Sequence, residues 1–221
     1  LARVNRNLVA VIISGNAVAM PWVNEVPAIV EAWYGGTEAG NAIASVLAGE
    51  VNPSGKLPIT IPKHAGQIPM YYYQRPSRYW TGYGLGSSRE DEKPAFCFGH
   101  GLSYTSYEYS GLKIDSVIPQ TQDIEFTFTV KNTGNMAGKE TALVFIRDCV
   151  SSVVTPVACL KGFEKVSLNP GESKDIRIVI PYSDLGLWNE DMKYVVESGK
   201  FNLMIGRSVE DIRIKKDFFI K

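Results

Sequence analysis

Apolar and polar residues follow two different rhythms along this chain, and the change falls near residue 110. Upstream, short apolar runs alternate with stretches of helical character. "LVAVIIS" (8–14) is β-branched and unbroken by polar residues, as expected of a strand covered on both faces. "WVNEV" predicts a short helix and "AIVEAWY" (28–34) a second strand. "GGTEAGNAIASVLAG" then predicts a helix that Thr37 caps, that runs to Ala48, and that Gly49 ends. Strand, glycine turn and helix in succession mark an α/β layer. "NPSGKLPITIP" (52–62) adds a Pro-Ser-Gly turn and one more extended segment.

Between 63 and 110 the periodicity is lost. "YYYQRPSRYWTGYGLGSSREDEKP" is rich in aromatics, Gly and Ser before a mixed charge cluster, and so long an irregular stretch is either functional or draped over another surface. Beyond it the pattern is all-β. "IEFTFTV" (124–130) alternates cleanly, with Ile124, Phe126, Phe128 and Val130 on one face. "TALVFIR" (141–147), "KDIRIVI" (174–180), "KYVVE" (193–197) and "FNLMIG" (201–206) follow, separated by turn signals. In one of these, "LNPGES", Pro170 and Gly171 are placed for a type II turn. Short strands at this spacing indicate a β-sandwich. The predicted fold class is α/β plus all-β. Residues 1–62 form a partial α/β sandwich segment, 63–110 an irregular aromatic-rich connecting segment, and 111–221 the sandwich.

Composition narrows the function. The chain has 221 residues, 45% of them hydrophobic, and its charges balance to zero. That balance gives no electrostatic case for nucleic acid or an anionic membrane, and no apolar run has membrane-span length. Leu1 leads almost at once into a core-type strand, so the chain is expected to be cut from something longer. Cys97, Cys149 and Cys159 have no metal-ligand spacing, and His64 and His100 are too few to supply it. Cys149 and Cys159 either meet across a hairpin in an exported protein or stay thiols.

The order of motifs is itself specific. "VAVIISGNAVAMPW", "AIVEAWYGGTEAGNAIASVLAGEVNPSGKLPITIP", "FGHGLSYTSYEYS", "VKNTGNMAGKETALVFIRD", "LKGFEKVSLNPGES" and "ESGKFNLMIG" follow one another over nearly the whole chain. In this the chain resembles the C-terminal part of family 3 glycoside hydrolases, the β-glucosidase and β-xylosidase group. The resemblance implies an enzyme of three units. A barrel bears an aspartate nucleophile, an α/β sandwich domain bears an acid/base glutamate on a loop, and a fibronectin type III-like domain closes the chain. This sequence would hold the end of the second unit and all of the third. Its partners would be the missing barrel, the remainder of the α/β domain and a carbohydrate substrate; no cofactor is implied, and homodimerisation and compartment stay open. Gly35-Gly36 stands where the family usually has Pro-Gly, and Cys97 where it usually has proline.

Retaining glycoside hydrolysis needs two carboxylates about 5 Å apart. Glu25, Glu31 and Glu38 belong to the α/β layer, and Glu90, Asp91 and Glu92 to a solvated charge run. No catalytic residue is therefore assigned to this chain. Gly99 and Gly101 flank His100 and permit a tight bend, so these three are expected to form a structural turn, with Ser103, Tyr104 and Thr105 supplying hydroxyls. A Ser/His hydrolase would need a GxSxG-type nucleophile turn, which is missing. In the aromatic stretch, Tyr71, Tyr72, Tyr73, Tyr79, Trp80 and Tyr83, with Arg75 and Arg78, either pack against the missing barrel or stack on sugar. Arg78, Trp80 and Tyr83 are the substrate-side candidates. Trp22 and Trp33 are assigned to a core and Trp188 to the interior of the sandwich. The competing reading is a free-standing carbohydrate- or protein-binding module, which half of an α/β domain argues against.

Overall fold

A computed structural model describes residues 1–75 and 93–221. The α/β segment holds two short parallel strands, β1 (Val9–Ile12) and β2 (Ala28–Glu31), in register from Val9 opposite Ala28 to Ile12 opposite Glu31. Helix α1 (Ala39–Leu47) follows. Its N-cap is Glu38 and not Thr37, and the Glu38 carboxylate accepts from Asn41 Nδ2 at 2.6 Å. Gly49, at φ 77°, ends the helix in the left-handed conformation that glycine takes without strain. "WVNEV" forms tight turns rather than the predicted helix. Pro21 and Pro27 confine it to five residues, too few for helix nucleation to be repaid.

No residue of α1 is buried, and β1 and β2 are half-buried at most. Trp22 and Trp33, assigned to a core, are only half-buried as well. Both lie in this uncovered layer.

The β-sandwich has two sheets. One is three-stranded and antiparallel, β3 (Tyr107–Ile114), β5 (Ile124–Asn132) and β8 (Ser173–Ile180), in that spatial order. The other runs β4 (Val117–Ile118), β12 (Ile212–Ile220), β11 (Gly199–Gly206), β6 (Gly138–Asp148), β7 (Cys159–Leu168). Between the sheets Ile124, Phe126, Phe128 and Val130 of β5 meet Ala142, Val144 and Ile146 of β6 within one buried cluster. The Pro170–Gly171 turn forms with Gly171 at φ 76° and Glu172 N donating to Asn169 O at 3.0 Å.

Strand β6 is buried on both sides. Leu143 and Phe145 alternate with its core-facing residues and join Met204 in a second cluster on the outer face of the sheet. That cluster is roofed by the connecting segment, through Met70, Tyr72, Cys97 and Phe98. Described residues of the stretch that lacks periodicity therefore cover the outer face of the sheet.

Three details depart from expectation or settle an alternative. Trp188 lies in a small hairpin, β9 (Leu187–Trp188) with β10 (Tyr194–Val195), and is 60% exposed. It rests edge-on against Tyr194 at 5.5 Å, because the hairpin pairs it there, outside both sheets. "KYVVE" contributes only the two residues of β10. All three cysteines are free thiols.

Candidate functional site

The glycine-flanked histidine lies where the α/β segment meets the sandwich. The chain from Phe96 to Leu102 runs beside residues 55–61. Ile61 N donates to Phe96 O at 2.8 Å, Leu57 N to His100 O at 2.8 Å, and Gly99 N to Leu57 O at 2.8 Å. Gly99 takes φ 83°, and a β-carbon there would press on the backbone of Ser208 and on Leu143. At Gly101 a β-carbon would fall on the carbonyl oxygen of Gly55. Both glycines therefore permit close approach as well as a bend. The His100 ring packs on Phe96 at 4.9 Å. Burial pushes its pKa below the usual histidine value, and the charges of Lys56 and Arg207 push it the same way.

Polar side chains extend this junction. Asn52 accepts from Ser103 Oγ at 2.9 Å and from Tyr104 N at 2.8 Å, and donates to Ala137 O at 3.1 Å. Thr105 Oγ1 donates to Asn132 Oδ1 at 2.7 Å, and the Asn132 amide donates to Met136 O and Leu168 O. "NTGN" is thus one side of a bonded junction between the segment and the sandwich. Alongside lies an open polar groove of about 460 Å³, walled by Asn52, Ser54, Gly138 and Lys139 and closed by Asn169 and Glu172. The Glu172 carboxyl is held below the ordinary range by Asn169 N, the opposite of what a proton donor near neutral pH requires.

The tyrosine run divides. Tyr72 turns inward, stacked on Phe98 at 4.1 Å, and its hydroxyl accepts from Leu160 N at 3.3 Å. Tyr71 and Tyr73 stack on each other at 5.3 Å and are about half exposed. The substrate-side candidates Arg78, Trp80 and Tyr83 lie outside the described residues, as do Tyr79, Glu90, Asp91 and Glu92.

Several acids that the strand pattern does not flag deserve comparison. Glu31 is half-buried; burial raises its pKa, while Trp33 N and Ser14 lower it. Asp148, at the end of β6, is raised by burial and further by Glu197, against the opposing bond from Val150 N. Glu197 is held ionised by Ser152, through both backbone and hydroxyl. Glu140 is the one buried carboxylate among the described residues. Its Oε1 accepts from Tyr109 at 2.8 Å and from Arg207 Nε at 3.1 Å, and Lys56 Nζ stands 3.6 Å away. One signal in the sequence points to Glu140: it shares the alternation of Ala142, Val144 and Ile146, which places an acid on an apolar face. No group of three or more metal-ligating side chains gathers among the described residues.

An α/β segment latched in this way to a β-sandwich defines a two-unit class of protein. The family model "Glycosyl hydrolase family 3 C-terminal domain" matches residues 1–104, and "Fibronectin type III-like domain" matches residues 140–209. The thermostable beta-glucosidase B of Acetivibrio thermocellus is 42% identical over 98% of this chain, and a beta-glucosidase of Bacteroides ovatus is 42% identical over 96%. The crystal structure of the beta-glucosidase from Listeria innocua in complex with glucose superposes with a TM-score of 0.90 at 30% identity. It covers 99% of this chain, and the match takes up 31% of that chain. The chain belongs to glycoside hydrolase family 3 and corresponds to the C-terminal portion of its members. It spans 30% of the length of either of these two curated relatives.

Proposed function

We propose that this chain is the scaffolding C-terminal portion of a retaining β-glycosidase of β-glucosidase type, which releases terminal β-linked sugars from glycosides or oligosaccharides. In the whole enzyme an aspartate attacks the anomeric carbon, a glutamate protonates the leaving oxygen, and water then resolves the glycosyl-enzyme. We place both carboxylates in polypeptide outside this chain. Residues 1–62 complete the α/β layer, 63–110 tie it down, and 111–221 buttress the assembly. His100 and its two glycines form a structural turn within the tie, and we assign substrate binding to Arg78, Trp80 and Tyr83.

The observation that carries this reading is the state of Glu140. A retaining enzyme needs a buried acid free to exchange a proton with substrate. The one buried carboxylate among the described residues is engaged by Lys56, Arg207 and Tyr109.

A second reading, a free-standing carbohydrate-binding module, draws support from the two exposed aromatic pairs, Tyr71 with Tyr73 and Trp188 with Tyr194. Such rings offer apolar faces to sugars. Titration calorimetry of the 221-residue chain with glucose and cellobiose separates the two. The scaffold reading expects no saturable heat, and saturable binding by the isolated chain would favour the module.

A further inference from the structure

Three separate parts of the chain converge on one oxygen atom of a fourth, Glu140 Oε1 on the five-stranded sheet. Tyr109 comes from the three-stranded sheet, Arg207 from the turn between β11 and β12, and Lys56 from the α/β segment. The Lys56 and Glu140 side chains are only 10% and 2% exposed. The expected Pro-Ser-Gly turn does not form, and residues 53–56 run without a turn or bend. We propose that Glu140 is a positioning residue whose carboxylate pins this "PSGK" stretch, and with it the α/β segment, onto the sandwich.

The physical reason is asymmetric. A buried carboxylate is tolerated only when paired and hydrogen-bonded, and removing one partner of a buried pair leaves the other charge stranded. Arg207 has a second acid within reach, since Asp211 stands 4.0 Å from its Nη1 and their backbones also bond. For Lys56, Glu140 is the carboxylate within 4 Å among the described residues. Loss of the Glu140 charge therefore leaves Arg207 partnered but Lys56 a buried cation with no carboxylate within 4 Å among the described residues, only the more distant Asp211 still attracting it. Lys56 must then swing to water or lose its proton, and the stretch that carries it holds the bonds from Leu57 to His100 and from Gly99 to Leu57. Tyr109, by contrast, bonds Glu140 from the opposite sheet, and Arg207 bonds it from a turn of the same sheet.

Amide hydrogen exchange on the 221-residue chain tests this residue by residue. In Glu140→Gln and in Lys56→Met, the amides of Leu57 and Gly99 are expected to exchange about tenfold faster or more. Those of Val130 and Leu203 in the sandwich core keep their protection. The double variant is no worse than either single one, because both remove the same link, and Lys56→Arg restores slow exchange. Unchanged exchange at Leu57 and Gly99 in Lys56→Met would overturn the proposal, as would an equal loss of protection across the whole sandwich. Should Glu140→Gln fail to fold, Lys56→Met decides alone, since Lys56 lies outside the sandwich strands.

Discussion

At the scale of single residues, we propose that chemistry that looks catalytic holds the chain in place. His100 sits in a glycine-flanked bend with its carbonyl bonded to Leu57 N and its ring against Phe96. Burial, then Lys56, then Arg207 lower its pKa below 6.5, with Asp211 opposing. The folded protein thus protonates this imidazole less readily than the unfolded chain, which takes up a proton near pH 6.5. Stability from this residue is complete above about pH 6.5 and is lost as pH falls below that value. The melting temperature, followed from about pH 7.5 to 5, is therefore expected to fall less steeply in His100→Asn than in the unaltered chain. An identical slope in the two proteins would contradict this account of His100.

At the scale of elements, packing decides which patterns in the sequence could be read. Strands β5 and β8 alternate strictly because one face meets the core and the other meets water, so each is legible residue by residue. β12 is not, because Lys215, Lys216 and Asp217 interrupt the period ahead of buried Phe218 and Ile220. β3 bends at Gly111 (φ 66°), where its register against β5 shifts, and the edge strand β7 is mostly half-exposed or exposed. Neither carries a clear rhythm. Two apolar runs show how much depends on a neighbour. β6 is covered on both sides, and Phe145→Ala is expected to cost about 3–5 kcal/mol in chemical denaturation. Ile13, beside β1, is 63% exposed here. Ile13→Ser is expected to change the stability of this chain by less than about 0.5 kcal/mol. In the full-length enzyme, where we expect the layer to be covered, the same change costs about 1.5–3 kcal/mol. Equal costs in the two contexts would contradict that covering.

At the scale of the whole molecule, the family was legible because its motifs fall in order across nearly the entire chain. The junction was not. Glu140 pairs with Lys56 across 84 positions of sequence, and that distance collapses only when the sheets and the "PSGK" stretch are in place. The same is true of Asn52, which reaches Ser103, Tyr104 and Ala137 from the α/β segment. The central claim is that this portion supports a glycosidase without supplying its acid pair. The measurement that tests it most directly is hydrolysis of an aryl β-glucoside by the 221-residue chain alone. Release of the phenol at the rate of buffer is the expected result. Turnover approaching that of an intact family 3 enzyme, abolished by Asp148→Asn or Glu197→Gln, would contradict it.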